Sequence, residues 1–538
     1  MYLFENPVLQ RELLANLRMR RAFVLLFLYP ALLGLMVFVA WPQNQRLDMT
    51  NPQASKRLVN LFFLGQYLLA ALLTPSFAAG AISGEKERQT FELLVASPLK
   101  PGAIVLGKLL ASLTHMAVLV FASLPIVMLC LPLGGVSFYE VLAAYFALFM
   151  SIVTFGFICL ATSSYFHRTA ASLVVSYLLI LPLALLGVWL WMALEPAGQF
   201  RLYAVGTLLP GGCAFLWPLL YEASSRRLLH PPDVGSQGKE VVDEKQEFEQ
   251  AVGLVIQRGR FPDNLFAPAK RSDLLPDGSN PVFDKEMRSE TFSQGTLMLR
   301  VVIQVSMALA FPLMLVCFYL FPERAPWYVG YVLLFNVLVG PVFSAGAITG
   351  ERERQTLELL LTTTLTPWQI LWAKLVSGLR VSSVLTLFLV WPLVLACAMV
   401  SDYWSNLPSM LLYGLIILLT CLTTATVALF CSVLSRKTSI SLTASYLTII
   451  TLFLAPVALW YFTGTFFPGQ WMDRVSTAAA PLSPFLAVFS MPLVIDGTVY
   501  HETTAPTALR FFLLYGVGDV VLLGLMIWLF RIRWRVAR

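Results

Sequence analysis

Ala79-Gly-Ala-Ile-Ser-Gly-Glu-Lys-Glu-Arg-Gln-Thr90 returns as Ala345-Gly-Ala-Ile-Thr-Gly-Glu-Arg-Glu-Arg-Gln-Thr356, with only Ser83/Thr349 and Lys86/Arg352 exchanged. Two further landmarks recur in the same order. Asn6-Pro7-Val8 returns as Asn280-Pro281-Val282, each time ahead of a charged stretch and an apolar run. His167-Arg-Thr-Ala-Ala-Ser172 corresponds to Arg436-Lys-Thr-Ser-Ile-Ser441, and a Ser-Tyr pair follows both, at 176–177 and 445–446. Repetition of all three makes the chain two tandem copies of one unit.

The material between the landmarks is membrane material. Hydrophobic residues make up 58% of the 538 and charged residues 12%, against roughly 25% charged in globular chains. Apolar segments fall at 22–41, 58–81, 104–131, 139–165, 170–194 and 202–222 in the first half. The second half gives 298–321, 327–348, 369–398, 407–434, 440–466 and 507–530. About 20 apolar residues cross a bilayer core as a helix. The segment 202–222 carries Pro210, Gly211, Gly212 and Pro218, which break helices; it is kept as a crossing because the second copy must begin on the side where the first began. An even number of crossings per copy makes the repeats parallel, related by an axis along the membrane normal. The expectation is an all-α integral membrane protein, a tandem parallel repeat of six transmembrane helices, about twelve in total, forming a pseudo-dimer. Its expected divisions are 1–222, a polar linker at 223–279, and 280–538.

Charge placement orients it. Of 37 Lys and Arg, 30 fall in segments assigned to the cytoplasm and 7 outside, and without the 11 in the central segment 223–300 the ratio is still 19 to 7. Positive residues favour the cytoplasmic side, so both termini are expected there, in an inner (plasma) membrane. Arg11, Arg18, Arg20 and Arg21 precede an apolar run, Ala22 to Trp41, too long for a signal-peptide core and without a small-residue cleavage site after it. The net charge of +7 follows from this topology, so no nucleic-acid partner is implied; the bilayer is the partner. The linker contains Pro231-Pro232 and a charge-mixed run from Lys239 to Glu249, and reads as an amphipathic helix over about 240–258 or as a tether. The seven cysteines form no CxxC pair and have no histidines at ligand spacing, so they read as small apolar residues, with no metal site.

The repeated box lies just past the second apolar segment of each copy. Gly84 and Gly350 are expected to let the chain turn out of the membrane. Glu85, Arg88 and Glu92 are spaced to pair along one face of a helix, and Pro98, Pro101 and Pro367 end it. Leu93, Leu94, Leu359 and Leu360 supply an apolar side. Such a run also reads as a solvated interfacial loop. Near-identity of the two copies, while the surrounding helices differ, favours a docking element for a partner with two matching grooves.

The box Gly-Glu-(Lys/Arg)-Glu-Arg-Gln-Thr-x-Glu-Leu-Leu, followed by Pro and a helix opening near Lys108 or Lys374, resembles the ABC-transporter type-2 permeases. The resemblance covers both halves. It implies that the box is a cytoplasmic coupling helix contacting an ATPase, through Gly84, Glu85, Lys86, Glu87, Arg88, Gln89, Thr90 and Glu92, and through Gly350, Glu351, Arg352, Glu353, Arg354, Gln355, Thr356 and Glu358. It implies two ABC ATPase subunits as partners and export of a substrate that the helices do not identify. Members commonly have Gly at the positions of Gln89 and Gln355, and most carry one unit per chain and dimerise. The family also has re-entrant segments before the last helix; Ala480-Pro-Leu-Ser-Pro-Phe485 resembles one, and Leu209-Pro-Gly-Gly212 a degraded counterpart.

Other chemistry is sparse. Gly102-Ala-Ile-Val-Leu-Gly107-Lys108 matches the start of a P-loop, but Leu109 stands where Ser or Thr must hold magnesium and no strand precedes it. Lys108 and Lys374 are expected to snorkel to the interface. Asp519 and His115 are ionisable groups within membrane segments, where charge marks function by default; each also reads as a group satisfied by a neighbouring helix. No nucleophile–base set is present, so neither catalysis nor a cofactor is expected. The alternative is a secondary transporter or channel with parallel repeats, which needs coupling-ion residues at the midplane; only Asp519 offers itself.

Overall fold

A computed structural model describes residues 6–17, 27, 29–31, 33–34, 53–87, 89–130, 137–166, 169–194, 198–229, 280–288, 296–400, 403–404, 406–466, 471–495, 498–500 and 505–534. Most of the expected segment 22–41, Arg88, and the linker from 230 to 279 with its expected helix lie outside the described residues. The chain divides into two compact units, Met1–Gly238 and Lys239–Arg538.

In the first unit, α1 is Pro7–Leu17, α2 Gln53–Ala78, α3 Ser83–Glu87, α4 Phe91–Val95, α5 Pro101–Cys130, α6 Phe138–Tyr165, α7 Thr169–Ala193, α8 Gly198–Tyr203 and α9 Leu209–Leu229. Helix α6 is central, packed on α2, α5, α7 and α9. It starts at a capping box, in which Ser137 Oγ accepts from the Glu140 amide and the Glu140 carboxylate accepts from the Ser137 amide; this satisfies two of the donors a helix start leaves open. Segment 202–222 is no re-entrant loop. It runs from α8 through a π-turn at Ala204–Leu208 into α9, and Gln199–Leu228 is continuous enough to span. Leu209-Pro-Gly-Gly212 therefore opens a helix, which corrects the expectation of a degraded re-entrant turn. Pro210 sits at the start of α9, where its missing N–H matters least.

In the second unit, α10 is Pro281–Arg288, α11 Thr296–Met314, α12 Ala325–Ala345, α13 Thr349–Glu353, α14 Leu357–Leu361, α15 Pro367–Met399, α16 Leu407–Leu434, α17 Thr438–Ile449, α18 Ala455–Phe466, α19 Trp471–Ala479, α20 Pro484–Phe489 and α21 Ala505–Trp534. Helix α16 is central, packed on α12, α15, α17 and α21. Its buried face is small and hydroxylic, with Thr420, Thr423, Thr424, Ala425, Thr426 and Ala428. Small residues let membrane helices approach closely: a Cβ on Gly340 of α12 would stand 2.8 Å from Thr424 Oγ1. Between them Asn336, fully buried, donates to Thr386 Oγ1 at 3.2 Å and accepts from Thr424 Oγ1 at 3.2 Å.

Ala480–Leu482 is a single tight turn and Pro484–Phe489 a short helix, and the chain returns through a two-stranded hairpin, β1 Leu493–Ile495 with β2 Thr498–Tyr500. The hairpin was not expected from the sequence. Asn406 fastens it, donating to the Val494 carbonyl at 2.7 Å and accepting from the Val494 amide at 2.9 Å.

Among the described residues ten helices are long and apolar enough to cross a membrane. The segment 298–321 is also helical, over Thr296–Leu320 with a π-turn at its end. The protein is thus an all-α, multi-pass membrane protein apart from one small hairpin. Lipid offers backbone groups no partners, so spanning segments must satisfy them internally.

Candidate functional site: two copies of a clamped helical elbow

Each box is two short helices meeting at a left-handed residue. In the first unit α3 ends at Glu87 and α4 begins at Phe91; Gln89 between them has φ 57°. In the second, α13 ends at Glu353, α14 begins at Leu357, and Gln355 has φ 59°. Among the described residues these are the non-glycine positions with positive φ. Both joints close in the same way. The Thr90 amide donates to the Glu85 carbonyl at 3.0 Å and Gln89 to Lys86 at 3.2 Å; Thr356 donates to Glu351 at 2.9 Å and Gln355 to Arg352 at 3.1 Å. These are the paired bonds of a Schellman helix end, whose left-handed position favours glycine.

This corrects two expectations. The turn is not made at Gly84 or Gly350, which lie inside α3 and α13. The expected pairing along one face rests in the first copy on Arg88, outside the described residues, and is not what the second copy shows, because Gln355 breaks the helix between Glu351 and Glu358. Glu351 instead bonds Thr356, Lys285 and Lys374, while Arg354, Gln355 and Glu358 are exposed.

The inward side chains of the box hold it to its unit. Lys108 is 4% exposed and bridges Glu12 of α1 and Glu85 at 3.2 Å each. Lys374 is 3% exposed and bridges Glu286 of α10, at 2.5 Å, and Glu351, at 2.9 Å. Both lysines thus turn inward rather than snorkel. A buried ammonium must be compensated by counter-charge, and the α1 and α10 helices supply half of it. Those helices are placed by the Asn-Pro-Val landmark: Asn6 accepts from the Val8 amide and donates to the Ala103 carbonyl, and Asn280 accepts from Val282 and donates to Gln369.

The second half of the clamp is equally duplicated. Ser163 Oγ accepts from the amides of Ile82 and Ser83, and Ser432 Oγ from those of Ile348 and Thr349. Lys86 donates to the Ser164 carbonyl and Arg352 to Ser435. Glu87 accepts from the amide and hydroxyl of Thr169, and Glu353 from those of Thr438, so each carboxylate sits at the start of α7 or α17, where negative charge is favoured. The Ser-Tyr landmark anchors the same helices: Tyr177 donates to the Leu72 carbonyl at 2.7 Å and Tyr446 to that of Leu338.

What remains outward is a matched pair of small faces. Gln89, Glu92 and Leu93 are exposed on one, and Arg354, Gln355, Glu358 and Leu359 on the other. Leu93 is 74% and Leu359 67% exposed, while Phe91 and Leu357 are buried beneath them. An apolar side chain held outward on a rigid, polar-rimmed elbow can anchor in a partner's pocket.

Sequence reasoning found the box but missed Glu12, Glu286, Ser163 and Ser432. One signal for the clamp was legible: Lys108 and Lys374 stand at the same distance in sequence, 23 residues, from Glu85 and Glu351. The two intramembrane groups lie elsewhere. Asp519 of α21, buried, accepts from Thr423 Oγ1 at 3.0 Å and Thr426 Oγ1 at 3.1 Å. His115 of α5 is buried and stacked on Phe77, with centroids 5.4 Å apart. Neither is part of the box.

The fold and the duplicated elbow define a multi-pass membrane protein built from two copies of one unit. The family model of the ABC-2 family transporter proteins matches residues 7–201 and 235–533, and the chain belongs to that family. No curated protein and no solved structure gives a match.

Proposed function

We propose that the chain is the permease of an ATP-driven exporter and that separate ABC ATPase subunits dock on its two elbows. The observation that carries this reading is the outward face at Gln89–Leu93, reproduced at Gln355–Leu359, on two elbows clamped by equivalent bonds. Two matched surfaces on one chain suit two ATPase subunits. ATP binding would draw these together and push on both elbows, and the clamps would pass the push to α1, α5 and α7 in one unit and to α10, α15 and α17 in the other. In this reading the units are residues 1–222 and 280–538, joined by a linker at 223–279, and each contributes six membrane helices. The chain sits in the inner membrane with both termini in the cytoplasm, and carries no ATPase site. The docking set, Gly84 to Glu92 and Gly350 to Glu358, then divides by role: Glu85, Lys86, Glu87, Glu351, Arg352 and Glu353 hold the elbow, and Gln89, Glu92, Arg354, Gln355 and Glu358, with Leu93 and Leu359 beside them, meet the ATPase.

The test is co-purification of the ATPase with the chain from the native membrane. Leu93→Glu with Leu359→Glu should abolish it while expression and the melting temperature of the permease stay unchanged. Full retention of the ATPase by the double variant would remove the docking role.

A further inference from the structure

At the end of the first unit opposite the elbow, four elements bring charged and aromatic side chains around a small cleft. Lys56 and Asn60 come from the start of α2, Glu140 from the start of α6, Trp191 from the end of α7 and Arg201 from α8. The cleft holds about 40 Å³, where one water needs roughly 10–15 Å³. It therefore admits a group of a few heavy atoms and not a whole amphiphile.

Arg201 is unusual among the cations of the chain. It is 8% exposed, its guanidinium lies 4.5 Å from the centre of the Trp191 ring, and its Nη2 is 3.6 Å from Glu140 Oε1. Its Nη1 is buried and makes no hydrogen bond among the described residues. Glu140 is only half available to it, because Oε2 accepts from the Ser137 amide at 3.1 Å in the helix cap. With Lys56 on the rim, the described residues lining the cleft bring two cations against one carboxylate. A buried guanidinium lining a cleft beside a second cation selects an oxyanion, and guanidinium forks fit phosphate. Within two residues in sequence of the lining Glu140, Trp191 and Arg201, the aromatic side chains Phe138, Tyr139, Trp189, Phe200 and Tyr203 are all exposed, and such residues mark the headgroup level of a bilayer.

We propose that this cleft binds the phosphate of an anionic phospholipid, with the Arg201 guanidinium and Lys56 Nζ donating to the phosphate oxygens and the acyl chains lying against the exposed aromatic side chains outside. A free phosphate shares the recognition chemistry; the small cleft beside a wide apolar rim favours the lipid.

Native mass spectrometry of the delipidated full chain in detergent, titrated with phosphatidylglycerol, reads the tightest site. Arg201→Gln is combined with Glu140→Gln so that no carboxylate is left unpaired, and Lys56→Gln, at an exposed position, tests the rim without touching the core. The dissociation constant should rise about tenfold in the double variant, the size of a lost charge-assisted hydrogen bond, and about threefold in Lys56→Gln. Diacylglycerol, with the same chains and no phosphate, should not compete. Displacement of phosphatidylglycerol by millimolar inorganic phosphate from the unaltered chain, and not from the double variant, would keep the phosphate site and make its source the free ion. Unchanged phosphatidylglycerol binding in both variants, or equal binding of diacylglycerol, would overturn the proposal.

Discussion

The two units agree at one end and differ at the other. At the elbow end four features of one recur in the other: the Schellman joint, the Glu–Lys–Glu bridge, the serine under the helix start and the carboxylate at the next helix. At the opposite end the first unit has α8 and the Arg201–Glu140 pair, and the second has α19, α20 and a hairpin held by Asn406. Packing alone does not require sameness at one end, since both ends are packed. A requirement imposed from outside, by a partner that presents two equal surfaces, would act on the elbows and leave the far ends free.

The comparison can be broken most severely at the clamp. Glu286→Gln with Glu351→Gln leaves Lys374 buried without a counter-ion, and loss of a buried pair's partner costs about 3–5 kcal/mol. Thermal unfolding in detergent should show a large fall. The equivalent Glu12→Gln with Glu85→Gln should follow the same direction with a smaller fall, because its bridge is longer, 3.2 Å against 2.5 and 2.9 Å. Loss of stability in one unit only would mean that the two clamps are not equivalent.

At the joint the expected effects are intermediate. A left-handed non-glycine residue costs roughly 1–2 kcal/mol, so Gln89→Gly or Gln355→Gly should leave the melting temperature unchanged or raise it. Gln355→Val, β-branched in the same conformation, should lower it. If both glycine variants were destabilised, the left-handed joint would not describe the protein.

The smallest effect is expected away from the comparison. Asp519→Asn keeps acceptor and donor atoms beside Thr423 and Thr426, so its cost should be about 1 kcal/mol or less, with transport retained. Abolished transport in a well-folded Asp519→Asn variant would make Asp519 a coupling-ion site and favour the secondary-transporter alternative.

The helices were legible in the sequence because a spanning helix announces itself by length and apolar content, and the duplication because its landmarks are contiguous. The elbow was located but misread as one continuous helix. Helical spacing of Glu85, Arg88 and Glu92 says nothing about a left-handed residue between them, and glutamine is a poor signal for that conformation; the glycine that family members commonly carry there was the better clue. Lys108 and Lys374 looked like interfacial side chains because their partners, Glu12 and Glu286, lie on separate helices far away in sequence. The hairpin at 493–500 and the Asn336 network are also products of long-range contact, and neither has a local pattern.

The most direct test of the central claim, that one chain supplies two equivalent ATPase-docking elbows, is the mass of the intact complex purified in detergent. One permease with two ATPase subunits is the expected composition. Two permeases with two ATPase subunits would contradict it, since each chain would then be offering only one of its elbows.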